Sequence, residues 1–361
     1  MMLSTDLQKG GLPLQLLMMA RYFPAVEVHP IVGCLATRGP LSDVLESHGV
    51  ETFACDAAGP LDIRCFGRFR QHVRRFDPDL IHSSLFHANL VARLFGRTDR
   101  TRPILTTTLT IEIERRWHRW LESLTSGLSD LHVANAEAVR RHVCEDLGFA
   151  PGDVLVIPNG LEMSELDRVT PAQRRELGIE DDLPLIVWAG RMDPVKNLET
   201  FVEVVARVHS QRRLRALLLG DGPAYSKIKT EVNKRGLEGV VHFAGWSDKV
   251  SAWLKASDVL LFPSWTEGAP NVVLEAMACR CPVVASNVAA CPEFITTGRN
   301  GVLCSPNDVD GFVRSVLGLL ADPLLRKRYA DVAYDQLSAG YSIQDVVCQW
   351  RAAYDRLMTS S

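Results

Sequence analysis

Two acidic side chains, Glu267 and Glu275, stand on either side of a Gly-Ala-Pro-Asn turn. An apolar stretch, 259–263, precedes the turn, and a helical pattern begins near Asn271, so the turn leads from a strand to a helix N-terminus. A helix N-terminus offers backbone N–H groups and the positive end of the helix dipole to an anion. Amide donors for a phosphate, next to carboxylate acceptors for hydroxyl groups, suit a phosphorylated sugar or a nucleotide sugar. The alternative is an ordinary strand-to-helix loop.

Two basic side chains about 75 residues upstream supply the complementary charge. Arg191 directly follows an apolar stretch, 183–190, and Lys196 precedes a helical pattern that begins at Asn197. Open α/β sheets bind ligands at the carboxyl ends of their strands. An Arg side chain presents a planar fork to phosphate oxygens, and a Lys side chain presents a mobile point charge. Together they would neutralise a diphosphate; the alternative is a pair of solvated loop cations.

The elements that position these residues follow from the hydrophobic pattern. Short apolar runs alternate with amphipathic helical stretches along the chain, which predicts parallel βαβ units. The turn Pro158-Asn159-Gly160 separates two such series. We therefore predict an N-terminal domain over 1–160, a second domain over 161–340, and an amphipathic helix within 341–361 that packs back on the first domain. The first strand is expected to be short or truncated, and the next one is predicted over 27–32.

Composition limits the class of protein. The chain of 361 residues is 47% apolar and 23% charged, which is typical of a soluble globular protein. Its net charge of −3 argues against bulk nucleic-acid binding. The nine cysteines form no CxxC pair and no zinc-ligand spacing, so we expect reduced thiols and a cytoplasmic location. A dinucleotide oxidoreductase is disfavoured because no G-x-G-x-x-G follows a first strand.

An ordered series of motifs resembles the group 1 glycosyltransferases, a family that retains the configuration of the transferred sugar. The series comprises Gly190-Arg191 with Lys196, Gly220-Asp221-Gly222-Pro223, Gly245-Trp246, 267–275, Pro292-Glu293 and 298–301, and upstream Gly10-Gly11, 78–82 and 157–160. The resemblance implies the α/β GT-B architecture, in which two Rossmann-like domains face a cleft. It also implies a nucleotide-sugar donor, with no metal and no other cofactor.

The resemblance assigns roles to matching positions. Arg191 and Lys196 would hold the donor diphosphate and stabilise the leaving group, and the backbone at Gly190 would lie beside them. Glu267 would bind hydroxyl groups of the donor sugar, and Glu275 would accept hydrogen bonds from the ribose. Backbone amides would contact the sugar and the phosphates from Gly268, Ala269, Pro270, Asn271, Val272 and Val273.

The first domain is expected to hold the acceptor side. Gly11 would let the backbone approach the diphosphate, because glycine has no Cβ. His87 would lie near the donor sugar and the acceptor, or be a loop histidine without a role, whereas His82 is expected to be structural. The family often follows the paired glycines with Ala-Glu, but here Leu12 and Pro13 stand at those positions.

A basic segment, 61–120, holds twelve Arg against six acidic residues and ends in Arg115-Arg-Trp-His-Arg-Trp120. A basic face with aromatic side chains predicts peripheral contact with an anionic membrane surface, at the inner face of the plasma membrane. A solvated helix face is the alternative.

These observations predict a metal-independent, retaining glycosyltransferase. It would move a hexose or N-acetylhexosamine from a nucleotide-diphosphate sugar, with UDP favoured, to a cell-surface polysaccharide or glycolipid acceptor. Two alternatives stay open, a sugar-nucleotide epimerase of the same architecture and a non-catalytic nucleotide-sugar-binding protein.

Overall fold

The computed structural model describes residues 1–8, 10–59, 62–97, 102–111, 116–180 and 182–359. These residues form two compact units, one made of Met1–Gly160 with Tyr341–Ser361, the other of Leu161–Gly340. Each unit has its own parallel sheet with helices on both faces.

The first unit alternates strands and helices along the chain. Its strands are β1 (Met2–Ser4), β2 (Ile31–Cys34), β3 (Glu51–Ala54), β4 (Ile81–Ser84), β5 (Ile104–Thr108), β6 (Leu131–Ala134) and β7 (Val154–Val156). Its helices are α1 (Gly11–Tyr22), α2 (Pro40–Ser47), α3 (Arg64–Phe76), α4 (Phe86–Phe95), α5 (Arg116–Thr125) and α6 (Glu137–Asp146), and, after the second unit, α15 (Ile343–Thr359).

The seven strands pair in parallel in the order β3-β2-β1-β4-β5-β6-β7. The order reverses between β1 and β4, which is the topological switch point of a doubly wound sheet. Since strand–helix–strand connections of parallel strands are right-handed, α3, α4 and α5 cover one face of the sheet. Packing between α3 and α4 and between α4 and α5 agrees with this placement.

The C-terminal helix α15 completes the hydrophobic core on the opposite face. Trp350 and Tyr354 are buried in the cluster that also holds Phe23, which directly follows α1. The Tyr354 hydroxyl lies 2.8 Å from Nδ1 of His82, and the His82 ring stacks on Trp350 with 4.6 Å between ring centroids. Burial lowers the pKa of His82 to about 3, so this histidine is a neutral core residue.

The second unit repeats the same alternation. Its strands are β8 (Leu185–Ala189), β9 (Arg215–Leu219), β10 (Val241–Gly245), β11 (Val259–Phe262), β12 (Val283–Ser286) and β13 (Val302–Cys304). Its helices are α7 (Met163–Arg168), α8 (Leu198–His209), α9 (Tyr225–Lys234), α10 (Val250–Lys255), α11 (Asn271–Ala278), α12 (Cys291–Phe294), α13 (Val309–Ala321) and α14 (Pro323–Ser338).

The six strands of the second sheet lie in the order β10-β9-β8-β11-β12-β13, all parallel. The central strands β8 and β11 are buried along their whole length, as expected for a sheet with helices on both faces. The order reverses between these two strands, so the helices that follow them lie on opposite faces of the sheet, and the loops after β8 and β11 border the crevice of the switch point.

One detail differs from the sequence prediction. The strand predicted over 27–32 is β2, which begins only at Ile31, because a 3-10 helix occupies Phe23–Val26. The stub at the chain start is a strand of three residues, β1, which pairs with β2 and β4 at the centre of the sheet. Part of the predicted basic segment, including Arg100 and Arg115, lies outside the described residues.

Candidate active site

The switch point of the second sheet brings the predicted donor-binding residues to one edge. Arg191 and Lys196 lie in the loop after β8, and Glu267 lies in the loop after the neighbouring strand β11. Because both strands are parallel, both loops leave the same edge of the sheet. This is the position at which open α/β sheets bind their ligands.

Lys196 and Glu267 form the most direct contact at this edge. The Lys196 ammonium lies 2.7 Å from Oε1 and 2.8 Å from Oε2 of Glu267. The side chains are 20% and 9% exposed, and the ammonium also lies 5.7 Å from the centroid of the Phe262 ring. A shielded ion pair of this kind interacts more strongly than one on the surface, because less water screens it.

Two hydrogen bonds fix the loops that carry this pair. The backbone N–H of Trp265 donates to the carbonyl of Val195 at 2.8 Å, and Nδ2 of Asn197 donates to the carbonyl of Pro263 at 2.9 Å. Asn197 is buried and adopts a left-handed conformation, φ 53°, which Asn tolerates better than most residues. Sequence reasoning did not assign this role to Asn197. Its position directly after Lys196, where a helix begins, is the signal that could have found it.

Arg191 differs from Lys196 in exposure. Its side chain is 75% exposed and lies 2.6 Å from the carboxylate of Asp193, which is only 18% exposed. Asp193 was also missed by sequence reasoning; it is the acidic residue within the basic loop. The loop thus carries one shielded cation and one exposed cation, each next to a carboxylate.

Two glycines in the loop after β9, Gly220 and Gly222, allow this loop to approach the loop after β8. A Cβ on Gly220 would lie 1.9 Å from the carbonyl oxygen of Gly190, and one on Gly222 would lie 2.8 Å from the backbone of Met192. The backbone of Gly190 and Met192 is hydrogen-bonded to Leu219 and Asp221 at 3.0 and 2.8 Å. The motif Gly220-Asp221-Gly222 therefore positions the backbone on either side of Arg191.

The turn after Glu267 leads into α11 as the sequence predicted. The predicted binding segment comprises Gly268, Ala269, Pro270, Asn271, Val272 and Val273. Pro270 is extended and precedes the first helical residue, Asn271. In this structure the N–H of Val273 donates to the carbonyl of Pro270 at 3.0 Å, and the carbonyl of Gly268 accepts from Ala290 at 3.4 Å. The Val273 amide thus forms a hydrogen bond within the first turn of α11 in this structure.

Glu275 lies one turn into α11 and is partly buried. Burial raises the pKa of its carboxyl group above the ordinary value of a glutamate. Within the described part of the chain, its carboxylate makes no hydrogen bond and no ion pair, in contrast to Glu267. A desolvated acid without a fixed partner, at the ligand edge of a sheet, is suited to accept hydrogen bonds from a bound molecule.

The first unit places its predicted residues at its own switch point. Gly11 is the first residue of α1, which follows β1, and His87 lies in the first turn of α4, which follows β4. Leu85, just before α4, has φ 76°, an unusual conformation for a leucine and of a kind that is often found at functional sites. The His87 side chain is half-buried, and its ring lies 5.4 Å from that of His118.

A cavity of about 170 Å³ adjoins His87 within the first unit. Its lining is rich in polar side chains, among them Asp6, His87, Thr108, His118, Arg119 and Glu122. The inward face of α5 supplies three of these groups, although this helix belonged to the segment expected at the surface. Gly11 and His87 lie in the first unit, whereas Arg191, Lys196, Glu267 and Glu275 lie in the second.

Comparisons with known families match both units. Residues 183–322 are similar to the family described as glycosyl transferases group 1, and residues 9–165 are similar to glycosyltransferase family 4.

Among curated proteins, the lipopolysaccharide core biosynthesis glycosyltransferase LpsE of Rhizobium meliloti (strain 1021) is 31% identical over 232 residues, covering 64% of this chain and 65% of LpsE. The UDP-Gal:alpha-D-GlcNAc-diphosphoundecaprenol alpha-1,3-galactosyltransferase of Escherichia coli is 24% identical over 316 residues, covering 80% of this chain and 79% of that enzyme. The alignments with the first four curated relatives span 65%, 48%, 49% and 48% of their lengths.

A solved structure shares the fold over almost the whole chain. The crystal structure of HepE from Anabaena in complex with UDP-glucose superposes with a TM-score of 0.84 at 22% identity, covering 99% of each chain. Two Rossmann-like units in tandem, the GT-B architecture, are therefore common to both proteins.

Proposed function

The chain belongs to the group 1 glycosyltransferases, and on that premise we propose that it is a retaining glycosyltransferase. It transfers a hexose or N-acetylhexosamine from a nucleotide-diphosphate sugar to a cell-surface polysaccharide or glycolipid acceptor. UDP is the favoured nucleotide, since HepE binds UDP-glucose and the Escherichia coli relative is named for UDP-Gal. LpsE is named for lipopolysaccharide core biosynthesis, and the Escherichia coli relative is named for an acceptor linked to diphosphoundecaprenol, which supports the class of acceptor.

The observation that carries the proposal is the pairing of Lys196 with Glu267 at the switch point, beside the exposed Arg191. The ammonium of a lysine has three N–H donors. Glu267 accepts from this ammonium with both carboxylate oxygens. Lys196 retains donor capacity for a phosphate oxygen while it orients the carboxylate toward sugar hydroxyls. The exposed guanidinium of Arg191 is free to turn from Asp193 to the diphosphate.

The reaction proceeds by cleavage of the bond between the anomeric carbon and the diphosphate oxygen. The electron pair stays on the diphosphate, and the sugar passes through an oxocarbenium-like state. The acceptor oxygen attacks the same face of the sugar, and its proton passes to the departing phosphate oxygen. Arg191 and Lys196 stabilise the charge that develops on the leaving group, and one such donor is typically worth about 3 kcal/mol of barrier.

The two glutamates bind the neutral parts of the donor in this proposal. Glu267 accepts from hydroxyl groups of the sugar, because Lys196 holds its carboxylate at the edge of the sheet. Glu275 accepts from the ribose hydroxyls, which would supply the hydrogen bonds that its desolvated carboxylate lacks in this structure. The N-terminal turn of α11 lies between the two acids and supplies backbone amides for the sugar and the phosphates.

The acceptor side is proposed to lie in the first unit. The half-buried His87 and the polar cavity beside it offer hydrogen-bonding groups to a hydroxyl-bearing acceptor. Gly11, at the N-terminus of α1, is proposed to let the backbone approach the diphosphate. We propose that no metal ion takes part, because basic side chains and backbone amides supply the positive charge that the diphosphate needs.

A thermal-shift panel of UDP-, GDP- and ADP-sugars tests the proposal. A ligand at 100 times its Kd stabilises the fold by about 2.7 kcal/mol. We expect the largest shift with a UDP-sugar, no change when EDTA is added, and a reduced shift for Lys196→Gln. Absence of any shift, or loss of the shift with EDTA, would contradict the proposal. Assays of sugar transfer and donor hydrolysis then separate an enzyme from a non-catalytic binder.

A further inference from the structure

Helix α5 exposes a stripe of large apolar side chains. Trp117, Trp120 and Leu124 are 56%, 65% and 66% exposed, and Leu128, in the 3-10 turn that follows, is 37% exposed. Their spacing of three, four and four residues places them on one face of the helix. Scattered exposed apolar residues are normal, but a contiguous apolar stripe marks an interaction surface.

The opposite face of α5 is occupied within the first unit. His118 and Glu122 are buried, and the Glu122 carboxylate forms an ion pair with the buried guanidinium of Arg93. Burial of these polar groups fixes the rotation of the helix about its axis. The tryptophans cannot turn inward unless this ion pair is broken and left in an apolar environment, which is costly. The buried contacts of α5 therefore hold its apolar stripe toward the solvent.

A basic surface lies in the same helical layer. Helix α3 exposes Arg64, Arg70, Arg74 and Arg75 on the side that faces away from the core residues Phe69 and Val73. Helix α4 lies between α3 and α5 and exposes Leu94. Packed helices lie about 8–10 Å apart, so the arginines and the tryptophans are separated by roughly 20 Å. We call the exposed side chains of α3, α4 and α5 the outer layer.

Not every arginine of this segment contributes to the surface. Arg93 and Arg102 are buried and pair with Glu122 and Asp77. The twelve arginines counted in the sequence therefore overstate the basic surface. The remaining positive charge is concentrated on α3, and the apolar groups are concentrated on α5.

We propose that the outer layer docks on an anionic lipid bilayer, with Trp117, Trp120 and Leu124 inserted at the headgroup level. Tryptophan is suited to this depth because its ring is largely apolar and its N–H stays near water. The arginines of α3 would then lie over anionic headgroups, which explains why basic and aromatic groups occupy one layer. A second copy of this chain would gain little from the arginines, since like charges would face each other.

Co-sedimentation with vesicles tests the inference without donor or acceptor, so its result is independent of the proposed transfer activity. The probes are vesicles of phosphatidylcholine alone and vesicles of an equimolar mixture with phosphatidylglycerol. We expect binding to the anionic vesicles that weakens on raising the salt concentration, because the Debye length falls from about 10 Å at 0.1 M to about 3 Å at 1 M. Absence of binding to anionic vesicles would overturn the proposal.

Substitutions assign the binding to this surface. The triple variant Trp117→Ser, Trp120→Ser, Leu124→Ser should lose at least about tenfold in vesicle affinity, since each side chain removes apolar area from water on insertion. Leu324→Ser is the matched control, because Leu324 is 80% exposed on α14 of the second unit; it should bind like the wild type. Equal loss in both variants would overturn the proposal.

The contribution of charge and the possibility of self-association are measured separately. Arg64→Gln with Arg70→Gln should weaken binding to anionic vesicles and reduce its salt dependence, and should leave the thermal midpoint unchanged, because both side chains are exposed on α3. Size-exclusion chromatography distinguishes lipid docking from self-association. A dimer that the triple variant dissociates, without vesicle binding by the wild type, would assign the stripe to a second copy and overturn the proposal.

Discussion

Lys196 and Glu267 lie 71 positions apart in the chain, yet one ammonium group contacts both carboxylate oxygens at 2.7 and 2.8 Å. The pair joins the loops that follow the two central strands of the second sheet. The basic group proposed for the diphosphate and the acidic group proposed for the sugar are therefore coupled before any donor binds. A substitution of either residue therefore changes the state of the other, so nucleotide binding and sugar transfer have to be measured separately to distinguish the two roles.

Glu267→Gln should weaken transfer and spare nucleotide binding. The substitution removes the charged acceptor for sugar hydroxyls, and we expect turnover to fall about a hundredfold. It also removes the competitor for the Lys196 ammonium, so UDP should bind at least as tightly as to the wild type. Calorimetric titration with UDP and an initial-rate assay measure the two effects. A parallel loss of UDP affinity would contradict the separation of roles.

Lys196→Gln should destabilise the protein, because it leaves the 9% exposed Glu267 carboxylate without its cation. We expect the free energy of unfolding to fall by about 1–3 kcal/mol. The matched control is Lys227→Gln, since Lys227 pairs with Glu199 and its side chain is 73% exposed. A surface pair is worth about 0–1 kcal/mol, so the control should change little. Urea unfolding measures both variants, and equal effects would contradict the prediction.

Glu275→Gln should stabilise the free protein and weaken donor binding. Because burial raises the pKa of Glu275, the folded state holds the proton more tightly than the unfolded state. The carboxylate therefore lowers stability as the pH rises from the ordinary glutamate value through the raised pKa. At neutral pH the uncharged amide removes this penalty, so the thermal midpoint should rise.

The same linkage fixes the pH dependence of donor binding. If Glu275 accepts hydrogen bonds from the ribose as a carboxylate, UDP affinity should increase as the pH rises through the raised pKa. The Glu275→Gln variant should lose this dependence and about tenfold in affinity, because a charge-assisted hydrogen bond is worth about 1.5–3 kcal/mol. Calorimetry at several pH values measures both effects. Unchanged affinity in the variant would exclude the ribose role.

Much of the second unit follows from its sequence. The buried strands have continuous apolar runs, and the residues proposed to bind the donor lie in the loops that follow these strands. Arg191 and Glu267 could therefore be assigned to one edge of a parallel sheet. The ion pair of Lys196 with Glu267 could not be predicted. It depends on loop conformations that Asn197 and Trp265 fix through hydrogen bonds to distant backbone groups.

The first unit was harder to predict for two physical reasons. Strand β1 has only three residues, too few for a hydrophobic period, and its place at the centre of the sheet comes from pairing with β2 and β4. Helix α5 combines buried polar groups with exposed aromatic ones. His118 is buried while Trp117 is exposed, which is the reverse of what hydrophobicity alone predicts.

Gly220→Ala should be among the most destabilising single-methyl substitutions. Gly220 has φ 130°, and a Cβ there would lie 1.9 Å from the carbonyl oxygen of Gly190. Gly298→Ala is the matched control, because φ is 84° but no atom lies within 4 Å of the added Cβ. We expect a loss of about 1–3 kcal/mol from backbone strain in the control and a larger loss at Gly220. Chemical denaturation compares them, and equal losses would show that the loop can shift.

His82 should make the first unit sensitive to acid. Its pKa is about 3 in the folded state, against 6.5 when exposed, so between these values the unfolded state binds the proton. Stability should therefore be fully present above pH 6.5 and decline as the pH falls toward 3, by about 1.4 kcal/mol per pH unit from this group. His82→Gln should reduce this slope in urea unfolding at pH 7 to 4.

Tyr354→Phe distinguishes burial from hydrogen bonding as the cause of the lowered pKa of His82. It removes the hydroxyl that lies 2.8 Å from Nδ1 of His82 but keeps the ring that covers the histidine. We expect a loss of about 1 kcal/mol at neutral pH with the acid slope retained, because desolvation is the main cause of the lowered pKa of His82. If the slope disappears in Tyr354→Phe, the hydrogen bond to α15, and not burial, keeps His82 neutral.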